Sequence, residues 1–396
     1  MAHRKQDERF EVGAWGVITR VPKTFNWLSA DDRRNWFIGV PWRNKGPRVP
    51  DSPHEISVPV DGSQAGNYAD KFIYSQDRAD LRTWGWSSVG KGGLNIGRWI
   101  MTNMEFSNGG PLKRDVTAYP NSELVHYMLS GEVGMGSDGW MDTGEEWTKT
   151  CGPWFMYLNH VPASVTDPKQ AAHLLYRDAL AQAEAEAKAW PYGWFKHAGY
   201  VQASGRGLVK GKLVIEDSGN PHASAGGIWV GVMKQPHTYK GFYDFQKWLK
   251  PYQFWVKTDP DGSFTIPHVI ADEDYILWAF GPGTSGTFQS RGLVGGKPPF
   301  ECNLPAKPFS VSVKAGEIKD LGTIAWTPVR QGQAVFELGT PDRKASEFRH
   351  GEDYWNPGTP PKLGYPTPVW GGQMEFPLDF PDGMTYTVGQ SQCRDG

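Results

Sequence analysis

Three short segments in the first third of the chain combine cationic, aromatic and acidic residues in a way that suits an acidic sugar. Lysine and arginine can pair with a uronate carboxylate, and flat aromatic rings can pack against the C–H faces of a pyranose. Taken singly, the lysines and arginines are more typical of solvated surface positions and turns, and the histidine is more typical of a satisfied or exposed residue than of a catalyst. The segments are Asp70-Lys71-Phe-Ile-Tyr74-Ser75, Gly109-Gly-Pro-Leu-Lys113-Arg114-Asp115 and His126-Tyr127-Met-Leu-Ser130-Gly-Glu132.

Antiparallel strands are the elements that must position these segments. Residues 1–165 alternate short apolar and aromatic runs with turn-rich gaps, a pattern that predicts β structure. Residues 199–328 contain further strand-like runs and the strong turn signal Asp259-Pro-Asp-Gly262, which is typical of a small immunoglobulin-like sandwich. Residues 329–396 hold few apolar runs among Pro- and Gly-rich loops, so we expect them to be part of a third domain that is cut short.

One helix is predicted over about 167–190, where it links the first domain (1–198) to the second. Asp167 is a good N-cap, Pro168 suits the first turn, and Pro191 stops the helix. Apolar residues recur at spacings of three or four, so one face of the helix can pack. These residues are Ala172, Tyr176, Ala179, Ala183, Ala187 and Trp190.

The composition excludes several classes of protein. A formal net charge of −2 argues against a nucleic-acid binder. The 48 Gly, 31 Pro and 19 Trp fit short strands joined by loops, and the tryptophans also fit sugar binding. Cys151, Cys302 and Cys393 show no metal-ligand spacing. No apolar run is long enough for a transmembrane helix. The first residues have no signal-peptide core, so we expect a cytoplasmic protein or one that has lost its leader.

Six motifs, in order, resemble those of polysaccharide lyase family 4, the rhamnogalacturonan lyases. The similarity extends from about residue 25 to the end of the chain. Each motif alone is only moderately specific, and the resemblance depends on finding all six in the same order as in the family. The motifs are Asp70–Ser75, Gly97–Thr117, Cys151–Asn159, Trp190–Tyr192, the pair Tyr252–Trp255 and Tyr275–Ala279, and Leu338–Phe348.

The resemblance implies an all-β, multi-domain fold. Residues 1–198 would form part of a large catalytic β-sandwich of the galactose-mutarotase-like super-sandwich kind. Residues 199–328 would form a fibronectin-III-like or carboxypeptidase-regulatory-like sandwich. Residues 329–396 would start a jelly roll similar to carbohydrate-binding modules. By this comparison the chain would lack the early strands of the first domain and most of the third.

The resemblance also implies cleavage of rhamnogalacturonan I, the pectin backbone of alternating rhamnose and galacturonate, at its rhamnose-α-1,4-galacturonate bonds. In this β-elimination a base removes the C5 proton, a cation stabilises the carboxylate charge, and an acid protonates the departing O4. Lys71 matches the family's catalytic lysine and is the predicted base. Arg78, Arg82, Lys113 and Arg114 are the cationic neighbours that would lower its pKa.

Glu132 is the main departure, because it stands where the family has a histidine. A glutamate can act as an acid when an apolar site raises its pKa, but an ionised glutamate would repel a uronate. His126 could take the role only in another strand register, although an even spacing puts both residues on one face of an unbroken strand. Two alternatives therefore stay open: a catalytically lapsed glycan-binding homologue, and a glycoside hydrolase that uses Glu105 and Glu132.

The remaining expectations concern binding residues, cofactors and partners. Arg33 and Arg34 resemble a substrate-holding segment of other family members. No metal or other cofactor is predicted for catalysis, although the acidic loops at Asp31-Asp32 and Asp272–Asp274 leave a structural calcium ion open. The resemblance implies an extracellular protein whose partner is pectic polysaccharide, and we expect a monomer that binds neither nucleic acid nor membrane. The full set of predicted substrate-binding residues is Arg33, Arg34, Tyr74, Lys113, Arg114 and Tyr127.

Overall fold

The computed structural model describes residues 10–11, 14–30, 35–37, 56–57, 69–70, 73–74, 82–102, 109–111, 116–119, 123–130, 140–141, 143–235, 250–281, 285–292 and 303–330. Short strands account for most of the secondary structure in these residues, and the α-helix α1 separates an earlier group of strands from a later one. The earlier strands are β1 (Phe10–Glu11), β2 (Ala14–Arg20), β3 (Trp27–Ser29), β4 (Asn35–Phe37), β5 (Ile56–Ser57), β6 (Ala69–Asp70), β7 (Ile73–Tyr74), β8 (Thr83–Ser88), β9 (Ile96–Met101), β10 (Val116–Tyr119), β11 (Glu123–Ser130), β12 (Trp140–Met141) and β13 (Phe155–His160).

Two antiparallel sheets form the first unit. The four-stranded sheet has the order β2-β11-β10-β7, and the second sheet has the order β13-β9-β8-β3-β4. We call the second one the helix-backed sheet, because α1 packs on one of its faces. Two short pairs, β1 with β12 and β5 with β6, complete the pairing of the earlier strands.

The helix-backed sheet is the middle layer of this unit because alternate residues of its strands point to opposite faces. Trp84 and Ile100 belong to a core shared with Leu124 of the four-stranded sheet. Trp99 belongs to a second core, shared with Leu175 of α1. The strands of this sheet are therefore buried on both faces, one against a sheet and the other against a helix.

Helix α1 spans Pro168–Ala189, in agreement with the segment predicted from the sequence. The Asp167 side chain accepts a hydrogen bond from the backbone N–H of Gln170 at 2.6 Å, which confirms the predicted N-cap. The predicted packing face is buried except for Ala187, which is half-buried. The buried helix residues are Ala171, Ala172, Leu175, Tyr176, Ala179 and Ala183.

The second unit is a sandwich of two sheets that follows a short 3-10 turn at Ala203–Gly205. One sheet has the order β17-β14-β21, and the other has the order β16-β15-β18-β19, with β20 paired to β18. Both contribute to one core that includes Val230, Leu277 and Trp326. The strands are β14 (Arg206–Ile215), β15 (Trp229–Met233), β16 (Gln253–Lys257), β17 (Ser263–Ile270), β18 (Asp272–Phe280), β19 (Thr287–Gln289), β20 (Val311–Val313) and β21 (Ile318–Trp326).

The two units contact each other through the segment that precedes β13. The indole Nε1 of Trp147 donates to the backbone oxygen of Lys250 at 3.2 Å. The backbone N–H of Thr150 donates to the hydroxyl of Tyr252 at 3.0 Å. The segment that leads into β13, an edge strand of the first unit, is therefore held by residues that come just before β16 in the second unit.

Over the residues that the structure describes, the chain is an all-β, multi-domain protein with one α-helix between its two groups of strands, as the sequence predicts. The predicted jelly roll at 329–396 lies outside the described residues beyond Arg330. Within the described part of the chain, no helix has both the length and the apolar character needed to cross a membrane.

Candidate active site

Most of the predicted site residues lie outside the described residues, and the structure shows instead the strands that flank them. Tyr74 and Tyr127 are described as strand positions, in β7 and β11. The predicted residues outside the described part are Lys71, Glu132, Arg33, Arg34, Lys113 and Arg114, together with Arg78 and Glu105.

The four-stranded sheet brings together strands that flank three of the predicted segments. β7 begins two residues after Lys71, β10 begins two residues after Arg114, and β11 ends two residues before Glu132. β7 pairs with β10, and β10 pairs with β11. Strands that lie far apart in the sequence are therefore neighbours in one sheet.

The register of this sheet fixes where its two predicted tyrosines lie. Tyr74 pairs with Val116 at the start of β10, and Ala118 of the same strand pairs with Leu124 of β11. Tyr127 lies three residues beyond Leu124, toward the end of the sheet where Tyr74 and Val116 are found. Because adjacent strands are about 4.8 Å apart, the backbones of Tyr74 and Tyr127 are roughly 10 Å apart across the sheet.

His126 is an interior residue of the sandwich. It is only 5% exposed, and its ring lies 5.6 Å from that of Trp84 and 5.7 Å from that of Trp154. The strand register also shifts between Tyr127 and Leu129, which breaks the alternation on which a shared face for His126 and Glu132 depends. His126 therefore belongs to the core, and substrate cannot reach it in this arrangement.

Two buried tryptophans of the helix-backed sheet hold β11 in place. Trp84 Nε1 donates to the backbone oxygen of Val125 at 2.8 Å, and Trp86 Nε1 donates to that of Glu123 at 3.2 Å. These hydrogen bonds connect the two sheets. They fix the position of β11, the strand that carries Tyr127, relative to the helix-backed sheet. The sequence analysis missed this positioning role, although the alternation Trp84-Gly85-Trp86 is the signal that could have revealed it.

Asp272 and Asp274, at the start of β18, each have a cationic partner within the protein. Lys234 Nζ donates to Asp272 Oδ2 at 2.7 Å, and Arg291 Nη2 donates to Asp274 Oδ2 at 2.9 Å. Asp31 and Asp32, the other acidic pair considered for calcium, lie outside the described residues. Over the described ranges, no group of three or more His, Cys, Asp or Glu side chains could hold a metal ion. Asp272 and Asp274 are therefore engaged in ion pairs with Lys234 and Arg291.

Comparison with known proteins finds a family model that matches part of the second unit. Residues 225–294 match a family described as "Polysaccharide lyase family 4, domain II". This match falls within the second sandwich and agrees with the predicted fibronectin-III-like type. The matched residues do not include the first unit. The similarity of the first unit to known proteins is seen only in alignments with longer relatives.

Three fungal relatives align with most of the chain. "Probable rhamnogalacturonate lyase B" of Aspergillus niger is 27% identical over 338 residues, which covers 83% of this chain and 42% of that protein. The protein of the same description from Aspergillus terreus is 26% identical over 343 residues, and "Rhamnogalacturonate lyase B" of Emericella nidulans is 27% identical over 335 residues. Each of these two alignments covers 83% of this chain and 44% of the relative. The chain thus spans less than half the length of the relatives that it matches.

Proposed function

We propose that this chain is a member of polysaccharide lyase family 4 and that it acts as a rhamnogalacturonan I lyase. The proposed reaction breaks rhamnose-α-1,4-galacturonate bonds of pectin by β-elimination. It leaves a C4–C5 double bond in the uronate at the new non-reducing end. The observation that carries the proposal is the alignment of 83% of the chain with proteins named rhamnogalacturonate lyases.

Lys71 is the proposed base of this reaction, by its match to the family's catalytic lysine. Its neutral amine takes the proton from C5 of the galacturonate, and the electron pair left behind spreads onto the carboxylate. Lys113 and Arg114 are proposed to hold that carboxylate and to stabilise the added charge. Elimination then breaks the C4–O4 bond as the C4–C5 double bond forms.

Glu132 is the proposed acid that protonates the departing O4. This role requires the carboxyl group to stay protonated near neutral pH, as happens when an apolar environment raises the pKa of a glutamate. Tyr74, Tyr127, Arg33 and Arg34 are proposed to bind the sugars on either side of the cleaved bond.

A second candidate function is glycan binding by a homologue that has lost catalysis. Glu132 at the histidine position favours it, because an ionised glutamate would repel a uronate. The burial of His126 between Trp84 and Trp154 adds to this argument, since the only nearby histidine in β11 is unable to replace the missing one.

We further propose the setting in which the protein acts. Pectin lies outside plant cells, so the proposed site of action is extracellular, with pectic polysaccharide as the partner of a monomeric protein. β-Elimination by lysine and an acid needs no cofactor, and we propose none. Residues 329–396 are proposed to begin a jelly-roll domain that binds carbohydrate.

The deciding experiment follows the ultraviolet absorbance of the unsaturated uronate when the chain acts on rhamnogalacturonan I. The proteins compared are the parent, Lys71→Ala and Glu132→His, with Lys23→Ala as a matched control, because Lys23 is an exposed lysine outside the proposed site. A lyase that works as proposed gives rising absorbance in the parent and the control, and none with Lys71→Ala.

The Glu132→His variant separates the two candidate functions. If the parent produces no unsaturated uronate and the Glu132→His variant does, the chain is a lyase that has lost its activity. If parent and variant are both silent and yet bind rhamnogalacturonan I, the chain is a glycan-binding protein. Full activity of Lys71→Ala in an active parent would rule out the proposed base.

A further inference from the structure

The segment that follows α1 presents an unusually exposed tryptophan. Trp194 is 63% exposed, which makes it the most exposed tryptophan among the described residues. Large aromatic side chains are normally well buried, because removing their surface from water is favourable. Neither the proposed catalysis nor the core of either sandwich accounts for a ring held in solvent at this position.

Neighbouring aromatic residues support the Trp194 ring. Its centroid lies 5.3 Å from that of Tyr192, 5.9 Å from that of Phe195 and 6.2 Å from that of Phe155. Tyr192 is itself fixed, because its backbone N–H donates to the hydroxyl of Tyr200 at 2.7 Å. The Trp194 ring is therefore packed against ordered neighbours on one side while most of its surface remains open to solvent.

The surroundings of Trp194 are polar. Gly193, Lys196 and His197 are exposed, and His197 stacks on Phe195 with an interplanar angle of 15°. A surface that binds another protein usually presents a broad apolar patch, whereas here one exposed indole ring lies beside polar groups that can donate hydrogen bonds. This combination suits a sugar, whose C–H face can cover the ring while its hydroxyl and carboxylate groups meet the polar neighbours.

The exposed ring lies on the side of the first unit that faces away from the four-stranded sheet. Phe155, which contacts Trp194, packs with the core that joins α1 to the helix-backed sheet. The hydroxyl of Tyr192 donates to the backbone oxygen of Glu186 near the end of α1. The four-stranded sheet packs on the opposite face of the helix-backed sheet, so that one sheet separates Trp194 from the strands that flank the candidate active site.

We propose that Trp194 is a stacking platform for a pyranose ring, and thus a secondary polysaccharide-binding site on the α1 side of the first unit. That the bound sugar belongs to pectin rests on the proposed function. That the Trp194 ring binds a sugar at all rests on the geometry around it. A chain of sugars engaged at both sites stays bound between cleavage events, because the second contact is intramolecular once the first has formed.

The test compares Trp194→Ala with the parent in the full chain. Affinity gel electrophoresis in rhamnogalacturonan I measures binding, and ultraviolet absorbance measures turnover of the polymer and of short rhamnogalacturonan oligosaccharides. We expect binding of the polymer to weaken about tenfold in Trp194→Ala, since one aromatic stacking contact is worth on the order of one power of ten in affinity. Turnover of short oligosaccharides should stay at the parent rate.

Two further variants show whether the flat ring is responsible. Trp194→Tyr keeps a flat ring and should retain most of the affinity. Leu158→Ala removes a side chain that is 67% exposed without removing an aromatic ring, and should bind like the parent. Unchanged binding by Trp194→Ala would overturn the proposal. So would a shift from dimer to monomer on size-exclusion chromatography, which would show that Trp194 packs against a second copy of the chain.

The readouts also separate this proposal from the proposed function. A parent that binds the polymer but releases no unsaturated uronate, together with weaker binding by Trp194→Ala, would support the platform and reject the lyase. An active parent whose affinity does not depend on Trp194 would support the lyase and reject the platform.

Discussion

Lys250 and Glu145 form a largely buried ion pair across the boundary between the two units. Lys250 Nζ lies 2.7 Å from Glu145 Oε1 and 2.8 Å from Oε2. The two side chains are only 5% and 15% exposed. This pair reinforces the backbone contacts between the segment before β13 and the segment before β16. Because β13 is an edge strand of the helix-backed sheet, the second sandwich helps to hold the first unit in shape.

Replacing Lys250 should destabilise the protein through this boundary. In Lys250→Met the Glu145 carboxylate stays in a largely buried place without its ammonium partner, and we expect the free energy of unfolding to fall by about 3 kcal/mol. Urea denaturation followed by tryptophan fluorescence measures the change. The exposed pair of Lys212 and Asp261 provides the control, because Lys212→Met removes an ion pair of similar length at a solvated site and should cost under about 1 kcal/mol.

The double variant Lys250→Met with Glu145→Leu tests the electrostatic origin of that loss. Removing both charges eliminates the buried carboxylate that the single variant leaves behind, so the double variant should recover at least half of the lost stability. Equal losses in the single and the double variant would instead point to the packing of the lysine stem.

Trp84→Phe should loosen β11 without emptying the core. The phenyl ring fills much of the indole volume, but the backbone oxygen of Val125 loses the hydrogen bond that Trp84 Nε1 donates at 2.8 Å. A buried acceptor left without that donor costs about 1–3 kcal/mol, and we expect a loss in this range by chemical denaturation. If the four-stranded sheet carries the active site, lyase turnover should also fall at temperatures where the variant is fully folded. A variant as stable as the parent would contradict this role for Trp84.

Local patterns made the helix predictable from the sequence. Asp167, Pro168 and Pro191 mark its ends through interactions within a few residues, and its apolar spacing fixes the buried face. The match of residues 225–294 to a family domain likewise agrees with the turn and strand signals of the second sandwich. These features depend on short stretches of chain, so that a single sequence contains the information to find them.

The features that could not be predicted from the sequence depend on long-range contacts and on strand register. The pairing of Lys250 with Glu145 joins residues separated by 105 positions, and no local pattern marks either of them as a partner. The register shift between Tyr127 and Leu129 arises from how β11 lies against β2, so the sequence alone could not show where strict alternation along β11 ends. The proposed role of Lys71 rests on resemblance alone. No local sequence pattern predicts where Lys71 lies in the site, because that depends on strands that are distant in the sequence.

Gly97→Ala should disrupt the docking of α1 on the helix-backed sheet. An added Cβ would lie 2.4 Å from both Asn159 Oδ1 and Trp99 Nε1, the two atoms that form a 2.7 Å hydrogen bond beneath the helix. Asn159 also donates to the backbone oxygen of Leu175 in α1. Because the Trp99 ring is fully buried and cannot move away, we expect a loss of about 1–3 kcal/mol.

Thermal denaturation monitored by circular dichroism measures the effect of Gly97→Ala. Gly292→Ala is the matched control, because an added Cβ there meets no atom within 4 Å and should leave the melting temperature nearly unchanged. Equal melting temperatures for Gly97→Ala and the parent would show that the Trp99 and Asn159 side chains can rearrange without weakening the helix contact.

Asp217 should make the stability of the second sandwich sensitive to acid. The hydrogen bond from Arg330, with Nε 2.9 Å from Asp217 Oδ1, is the main reason that the pKa of this carboxyl lies below its usual value. The Gly219 N–H and the Ser285 hydroxyl act in the same direction, and burial opposes them. A carboxyl whose pKa is lowered by folding stabilises the protein above its unfolded pKa of about 3.9. That stabilisation is lost as the pH falls through the lower, folded value.

Asp217→Asn tests this dependence directly. At pH 7 the variant leaves the Arg330 guanidinium without its carboxylate, and we expect a loss of about 3 kcal/mol in the free energy of unfolding. As the pH falls below about 4, Asp217 is protonated first in the unfolded parent and then, at its lower folded pKa, in the folded parent, so the difference in stability between parent and variant should shrink steadily. Asp320→Asn is the control, because that carboxyl pairs with Lys210 at an exposed site and solvent screens the pair. Urea denaturation from pH 7 to pH 2.5 measures all three proteins. A gap between parent and Asp217→Asn that stays constant over this range would mean that Asp217 stabilises the sandwich through its shape and hydrogen bonds, independently of its charge.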